Sequence, residues 1–254
     1  MMQVKLQKTQ VSNPGVVSQA DWLAARKQLL TKEKEFTRQR DALNAERRAL
    51  PWLKVEKQYV FDGPSGKVTL AQLFNGRSQL FIKHFMMGPG QKQQCVGCSL
   101  EVDHVEGILD HLENHDVSYA AVARAPIDEI EAVRKRMDWH FPWVSSHNND
   151  FNYDYHVSFT PEALKDQVEY NYAKQQTDST DLPGVSVFYK DGNGNIYHTY
   201  SVYARGIDIL NTAYNYLDLV PNGRDEDELE FSMAWVRYHD QYESKSGNTR
   251  REAR

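Results

Sequence analysis

Apolar residues near the start of the chain recur with a spacing of seven. Ser18, followed three residues later by Asp21, is typical of a helix N-cap, and Pro51 ends the pattern. The spacing predicts one long helix with a narrow apolar seam. Because the companion positions of the heptad are mostly polar, packing against the same chain or a second subunit is favoured over a coiled coil. The seam is Trp22, Leu29, Phe36, Leu43 and Leu50, and its companions are Ala25, Lys32, Gln39 and Glu46.

The middle of the chain alternates between strand-like and helical patterns. Residues 78–87 have the apolar, aromatic-rich composition of a central strand, and a Gly-Pro-Gly sequence ends the run. From Cys98 onwards apolar residues follow helical spacing, and residues 117–124 have the pattern of a buried strand. We therefore expect a βαβ unit over residues 79–124, with Cys95 at or just before the helix N-terminus. The helical apolar positions are Val102, Val105, Leu109 and Leu112.

The flanking regions predict further elements. Before this unit the pattern gives a strand over 54–62, a turn over 63–66 and a short helical or strand segment over 67–74. After it the pattern gives a helix over 127–137, an extended piece over 141–146, a loop over 148–156, a helix over 161–172, a hairpin over 185–190 and 196–203, and a closing helix over 206–219. In the tail, residues 231–242 are apolar enough to dock, and residues 244–254 are expected to be disordered.

This order of elements is that of a thioredoxin-like fold: a βαβ unit, a helix, an insertion, then a hairpin and a helix. We predict an α/β, thioredoxin-like three-layer sandwich around a central mixed sheet. Residues 1–50 form an N-terminal helical extension, residues 51–221 the thioredoxin-like domain, and residues 222–254 a C-terminal extension.

The composition of the chain argues against a nucleic-acid-binding, membrane or secreted protein. The net charge of -5 and pI near 6.0 lack the basic excess of a nucleic-acid-binding protein. No apolar run approaches the roughly 18 to 20 residues that span a bilayer, and the N-terminus has no secretory signal pattern. These features predict a cytoplasmic protein with neither nucleic acid nor membrane as partner.

The main candidates for reactive residues are the two cysteines of Cys95-Val96-Gly97-Cys98. Two cysteines cannot form a disulfide framework, so a close pair in a reducing compartment is expected to be catalytic or metal-binding. A helix N-terminus stabilises a thiolate and lowers a cysteine pKa. Because Cys98 continues the apolar stripe into the core, we assign the exposed Cys95 as nucleophile and Cys98 as the resolving thiol.

A zinc site is a competing interpretation. Cys95 and Cys98, followed by His111 and His115, match the spacing of a Cys2His2 zinc finger. If one helix runs through this segment, however, its rise places Cys98 and His111 about 20 Å apart, far beyond zinc bonding distance. The zinc-binding interaction protein therefore stays the weaker alternative.

Three further residues are candidates for binding a substrate. Pro183 directly precedes the predicted hairpin, where a thioredoxin-like protein holds a cis-proline that faces the active cysteines; an ordinary trans proline is the alternative. Trp139 and Trp143 can line a substrate groove, although aromatic clusters more often fill cores. Asp150 and Asp154 are candidates for modulating thiol protonation.

Nearly the whole chain resembles a bacterial family, the domain of unknown function 899 family. The resemblance rests on RAPIDEIEAVRKRMDWHFPWVSSHNNDFNYDYHVSF, GVSVFYKDGNGNIYHTYSVYARG and WVRYHDQY. It implies a thioredoxin-like fold and a dithiol-disulfide oxidoreductase activity.

The leading hypothesis is therefore an enzyme that exchanges disulfides through Cys95 and Cys98 without a cofactor. Its partner would be a protein or small-molecule thiol or disulfide, and the N-terminal helix is a candidate for self-association. A peroxidatic P-x-x-x-T-x-x-C arrangement is missing, which disfavours peroxide reduction by that mechanism. A non-catalytic thioredoxin-like binding module is the alternative from another class.

Overall fold

The structure is a computed structural model that describes residues 14–242 of the 254-residue chain. The predicted disorder of residues 244–254 lies outside the described residues. Within residues 14–242 the strands are β1 (Leu53–Lys54), β2 (Val60–Gly63), β3 (Gly66–Thr69), β4 (Gln79–His84), β5 (Val117–Ala123), β6 (Trp143–Ser145), β7 (Val168–Tyr170), β8 (Ala173–Gln175), β9 (Gly184–Lys190) and β10 (Ile196–Tyr203).

Helices flank these strands. The α-helices are α1 (Gln19–Ala49), α2 (Leu70–Leu73), α3 (Val96–Val105), α4 (Leu109–Asn114), α5 (Ile127–Arg136), α6 (Phe151–Asp154) and α7 (Thr212–Leu217). Short 3-10 segments cover Glu106–Ile108, Ala163–Lys165 and Ala204–Leu210. Across the part of the chain that the structure describes, no helix is both long enough and apolar enough to cross a membrane.

Helix α1 forms where the heptad pattern predicts it. Ser18 is its N-cap, and the Ser18 hydroxyl accepts a hydrogen bond from the backbone amide of Asp21 at 3.2 Å. None of the residues in α1 is buried, and the seam residues Trp22 and Phe36 are 58% and 65% exposed. Packing of this seam against the same chain is therefore wrong, because the rest of the described chain leaves it uncovered.

The central sheet has the strand order β1-β10-β9-β4-β5-β6-β2-β3. Strands β4 and β5 are parallel, and α3 and α4 lie between them in the chain. This arrangement confirms the predicted βαβ unit. Strand β9 pairs antiparallel with both β4 and β10, which confirms the predicted hairpin and makes the sheet mixed. Together these strands and helices form the predicted thioredoxin-like fold.

The two faces of the sheet bury separate cores. Successive side chains of a strand point to opposite faces, so Ile82 and Lys83 of β4 lie on different sides. Ile82 packs with Phe61 and Phe188 in one core, and the other core contains Phe85 and Cys98. The dithiol motif therefore belongs to the layer on the Lys83 side of the sheet.

Four predicted segments differ from the structure. The strand expected over 54–62 is divided into β1 and β2, with residues 55–59 outside any strand. The helix expected over 161–172 is wrong, because this region forms a short 3-10 turn and the antiparallel pair β7 and β8. Val168 and Tyr170 are buried with an exposed residue between them, a strand period, and Asn171 and Tyr172 make the turn with positive φ angles. The predicted loop over 148–156 contains α6, and the closing helix is split into a 3-10 segment and α7.

Candidate active site

Cys95 caps the N-terminus of α3 at the carboxyl end of β4. Its backbone amide donates to the carbonyl of Met86 at 3.2 Å, which anchors the motif to the end of the strand. The Sγ of Cys95 accepts a hydrogen bond from the backbone amide of Cys98 at 3.3 Å, as an N-cap side chain does. The hydroxyl of Ser99 donates to the Cys95 carbonyl at 2.9 Å. The helix start therefore fixes the sulfur among backbone donors, as predicted from the sequence.

The two thiols have different environments. Cys95 is partly exposed, whereas Cys98 is 2% exposed and packs in the core with Val102. The hydrogen bond from the Cys98 thiol, together with the amides of Cys98 and Gly97 and the charge of Lys83, lowers the pKa of Cys95 to about 6 against the effect of burial. The same hydrogen bond and burial raise the pKa of Cys98 well above its ordinary value. At neutral pH the anion therefore resides on Cys95.

A buried ion pair lies next to the dithiol. The Lys83 ammonium donates to the Glu101 carboxylate, and the Lys83 side chain is 0% exposed. Burial alone would lower the pKa of Lys83, but the negative charges of Glu101 and of the two sulfurs raise it. Burial raises the pKa of Glu101 against the attraction of Lys83. A charged ammonium in this position stabilises a thiolate on either cysteine.

The Lys83–Glu101 pair was not predicted from the sequence, although two features of the sequence point to it. Lys83 lies inside a central-strand run that is rich in apolar residues, and a lysine is rarely fully buried unless it is paired. Glu101 follows Cys98 by three residues, so both lie on one helix face. A strand lysine and a helix carboxylate that face the same core layer therefore point to a buried pair beside the motif.

His84 lies on the opposite face of the sheet from the dithiol. Its Nε2 is 2.8 Å from the Ser186 hydroxyl, which in turn is 2.7 Å from the Ser201 hydroxyl. Burial and the charge of Lys83 lower the pKa of His84 to about 3, so the ring is neutral. These contacts show that His84 is a core histidine rather than part of the thiol site.

Pro183 directly precedes β9 at the sheet end that also holds the motif, because Gly184 pairs with His84 at the end of β4. No peptide bond between residues 14 and 242 is cis, so the bond before Pro183 is trans. The Pro183 carbonyl accepts a hydrogen bond from the Tyr170 hydroxyl at 2.7 Å. Of the two alternatives for Pro183, the structure has the trans proline, and the carbonyl of this residue accepts a hydrogen bond within the chain.

The two candidate tryptophans are core residues. Trp139 and Trp143 are 2% and 1% exposed and pack with Phe85 and Phe141. Rings this buried do not form the wall of an open groove, so their assignment to substrate binding is corrected to a packing role.

The acidic candidates lie away from the dithiol. Asp150 and Asp154 both accept hydrogen bonds from the Lys57 ammonium, at 2.8 and 2.6 Å. Asp154 also accepts from the Tyr59 hydroxyl at 2.7 Å. The two carboxylates therefore join the start of the domain to α6 instead of acting on the thiols.

The competing zinc site does not assemble. Cys95 and Cys98 lie at the start of α3, and His111 and His115 lie in and after α4, beyond the 3-10 segment Glu106–Ile108. Residues 14–242 contain no group of three or more His, Cys, Asp or Glu side chains placed to hold a metal ion. The four residues of the Cys2His2 pattern therefore lie on successive helical segments and are not gathered into one cluster.

Comparisons with solved structures find proteins of similar chain path at low identity. Peroxidoxin BcpB from Mycobacterium tuberculosis has a TM-score of 0.43 at 10% identity, over 64% of this chain and 94% of its own. Peroxiredoxin Q from Xanthomonas campestris has a TM-score of 0.42 at 12% identity, over 61% and 88%. A putative protein disulfide isomerase from Bacteroides thetaiotaomicron has a TM-score of 0.37 at 15% identity, over 65% and 91%.

No curated protein matches the chain by sequence. A family model described as bacterial protein of unknown function (DUF899) matches residues 11–242, nearly the whole chain. This match confirms the resemblance inferred from the sequence motifs, and the chain belongs to the DUF899 family of bacterial proteins.

Proposed function

We propose that the protein is a thiol–disulfide oxidoreductase in which Cys95 is the nucleophile and Cys98 the resolving thiol. One observation carries the proposal: the Cys95 sulfur is held at the N-terminus of α3 by the amide of Cys98, where its pKa falls to about 6 while that of Cys98 rises. Two thiols without a catalytic role would not require different pKa values. It is the condition that disulfide exchange requires of an attacking and a resolving cysteine.

The reaction proceeds in two exchanges. The Cys95 thiolate attacks one sulfur of a disulfide, which forms a mixed disulfide and releases the other half as a thiolate. Cys98 then loses its proton to solvent or a nearby base and attacks the Cys95 sulfur. An internal disulfide forms and the second thiolate leaves. The substrate disulfide is reduced to two thiols as the protein dithiol is oxidised, and a dithiol substrate drives the same steps in reverse.

The Lys83–Glu101 pair supports both steps. In the first step the Lys83 ammonium stabilises the thiolate of Cys95, and its charge also acts on Cys98. Because the pKa of Cys98 is well above neutral, its deprotonation is the harder event, and a buried cation lowers that cost. We place this exchange in a reducing cytoplasm, where a free cysteine pair is more often catalytic than structural.

Trapping the mixed disulfide tests the proposal. The Cys98→Ser variant retains the nucleophile but cannot release it, so incubation with a disulfide should leave the substrate half attached to Cys95. Peptide mapping by mass spectrometry identifies the modified cysteine, and Cys95→Ser is the matched control that should trap nothing.

The opposite pattern would contradict the assignment. If Cys98 captures the substrate in the Cys95→Ser variant faster than Cys95 does in Cys98→Ser, the roles are reversed. If both thiols react at the rate of an ordinary cysteine and no internal disulfide forms under oxidant, the protein is a non-catalytic binding module.

A further inference from the structure

The C-terminal segment, residues 226–242, packs over the dithiol motif. A Cβ atom built on Gly97 would lie 3.2 Å from Cε and 3.4 Å from Sδ of Met233, and 3.9 Å from Sγ of Cys95. The thioether of Met233 therefore covers the same side of the helix tip as the nucleophile. The Tyr238 hydroxyl donates to the carbonyl of Gln94, the residue before Cys95. The segment thus contacts residues that precede and follow the nucleophile in the chain.

Glu226 anchors the part of the C-terminal segment that contains Met233 and Trp235. Its Oε1 accepts hydrogen bonds from the backbone amide of Met233 at 3.0 Å and from the indole of Trp235 at 2.6 Å. The hydroxyl of Tyr214, on α7, donates to the same oxygen at 2.7 Å. A carboxylate with three donors fixes the Met233 loop to the body of the domain.

Hydrogen bonds to charged side chains anchor the end of the segment, at His239 and Asp240. Asp240 accepts two hydrogen bonds from the Arg136 guanidinium, both at 2.9 Å. Asp103 accepts from the ring of His239 and from the indole of Trp139, each at 2.7 Å. The segment is therefore anchored at one end through Tyr214 of α7 and at the other end through charged groups of α3 and α5.

Backbone groups that precede β9, at the sheet end that also holds the motif, are paired within the chain. The amide of Leu182 donates to the carbonyl of Val157 at 2.9 Å, and the carbonyl of Pro183 accepts from the Tyr170 hydroxyl. Strand-like recognition of a peptide needs free backbone donors and acceptors at an edge. The amide of Leu182 and the carbonyl of Pro183 are already paired, and the carbonyl of Gln94 already accepts from Tyr238.

We propose that the C-terminal segment restricts the Cys95–Cys98 pair to low-molecular-weight disulfides and thiols and excludes folded protein substrates; this inference rests on the proposed function. A small disulfide R–S–S–R requires access only to Cys95, which is partly exposed. Attack forms the Cys95–S–S–R bond and releases RS⁻, and Cys98 then displaces the second RS⁻ as the internal disulfide forms. The small disulfide is the oxidant, so a single turnover is balanced without another reactant.

The test compares a small and a protein disulfide in single turnovers of the reduced, full-length protein. Hydroxyethyl disulfide and insulin are the two probes, and quenched alkylation with mass spectrometry gives the rate at which Cys95 and Cys98 are consumed. Met233→Ala and Tyr238→Phe each remove one contact of the segment with the motif. Phe231→Ala is the matched control, because Phe231 belongs to the same segment and is largely exposed. Cys95→Ser controls for the chemistry itself.

We expect the unmodified protein to react much faster with hydroxyethyl disulfide than with insulin. Met233→Ala and Tyr238→Phe should each raise the rate with insulin by up to about tenfold, the equivalent of about 1.4 kcal/mol. Their rate with hydroxyethyl disulfide should change little, and Phe231→Ala should alter neither rate. Equal rates with both probes in the unmodified protein, or no gain with insulin in either variant, would overturn the inference and leave the proposed function intact. If neither probe oxidises Cys95 in any variant, the proposed function itself fails.

Discussion

The backbone amide of Cys98 lies 3.3 Å from the sulfur of Cys95 and donates a hydrogen bond to it. The same residue thus supplies the nucleophile with a backbone donor and, through its own thiol, with the largest contribution to its lowered pKa. The pKa values of the two cysteines therefore differ because the two thiols interact. A substitution at one cysteine should shift the measured pKa of the other.

The pH dependence of alkylation tests this coupling. Below pH 6 the Cys95 thiol is protonated, so its alkylation rate should fall about tenfold per pH unit, and above pH 6 the rate should level off. Cys98→Ala removes the thiol donor and should move the midpoint upwards, towards the ordinary value of about 8.5. Cys98→Ser retains a donor and should shift the midpoint less. Iodoacetamide kinetics with peptide mapping provide the measurement, and an unchanged midpoint in Cys98→Ala would refute the coupling.

The buried Lys83–Glu101 pair predicts a large effect on stability. Lys83→Met leaves the Glu101 carboxyl buried without its partner, which should lower the free energy of unfolding by about 3–5 kcal/mol. The double variant Lys83→Met/Glu101→Leu should recover much of that loss, because apolar residues can replace a buried pair.

Denaturant unfolding of the reduced protein measures these changes. Lys67→Met is the matched control, since Lys67 pairs with Asp62 at an exposed site and such pairs contribute about 0–1 kcal/mol. Equal losses in Lys83→Met and Lys67→Met would show that the buried pair contributes no more to stability than an exposed one.

Close packing next to Pro183 makes Gly184 sensitive to substitution. A Cβ atom at Gly184 would lie 2.8 Å from Cδ1 of Tyr203 and 2.9 Å from Cγ1 of Val157. Gly184→Ala should therefore destabilise the protein by about 1–3 kcal/mol through overpacking. Gly192, in the β9–β10 turn, has no atom within 4 Å of its Cβ position, so Gly192→Ala is the control. Thermal unfolding that shows the same midpoint for both variants would contradict this account.

The sequence predicts the parts of the site that depend on local spacing. The position of Cys95 at the start of α3 and the burial of Cys98 follow from helical periodicity that begins at the motif. The contact between Tyr238 and Gln94 joins residues 144 apart, so no local pattern predicts it. Lys83 and Glu101 belong to different elements, and only the pairing of β4 with the helical layer brings them together.

The hairpin of β7 and β8 shows the same limit at the level of secondary structure. A proline followed by polar residues is typical of a helix start, and residues 163–165 do form one 3-10 turn. The buried positions Val168 and Tyr170 then follow a strand period because Tyr170 packs on Tyr203 of β10. Tertiary packing thus overrides a local helical preference there.

The uncovered seam of α1 predicts self-association. Its large apolar side chains repeat every seven residues along a helix of 31 residues, and exposed apolar surface of this kind is typical of a helix–helix interface. We expect the protein to sediment as an oligomer and the double variant Leu29→Asp/Phe36→Asp to sediment as a monomer, because a charge in each of two layers opposes burial of the seam. Ala45→Asp, an exposed position of the same helix outside the seam, should leave the oligomer intact. Analytical ultracentrifugation distinguishes these outcomes, and a monomeric unmodified protein at high concentration would show that α1 does not bind a second copy.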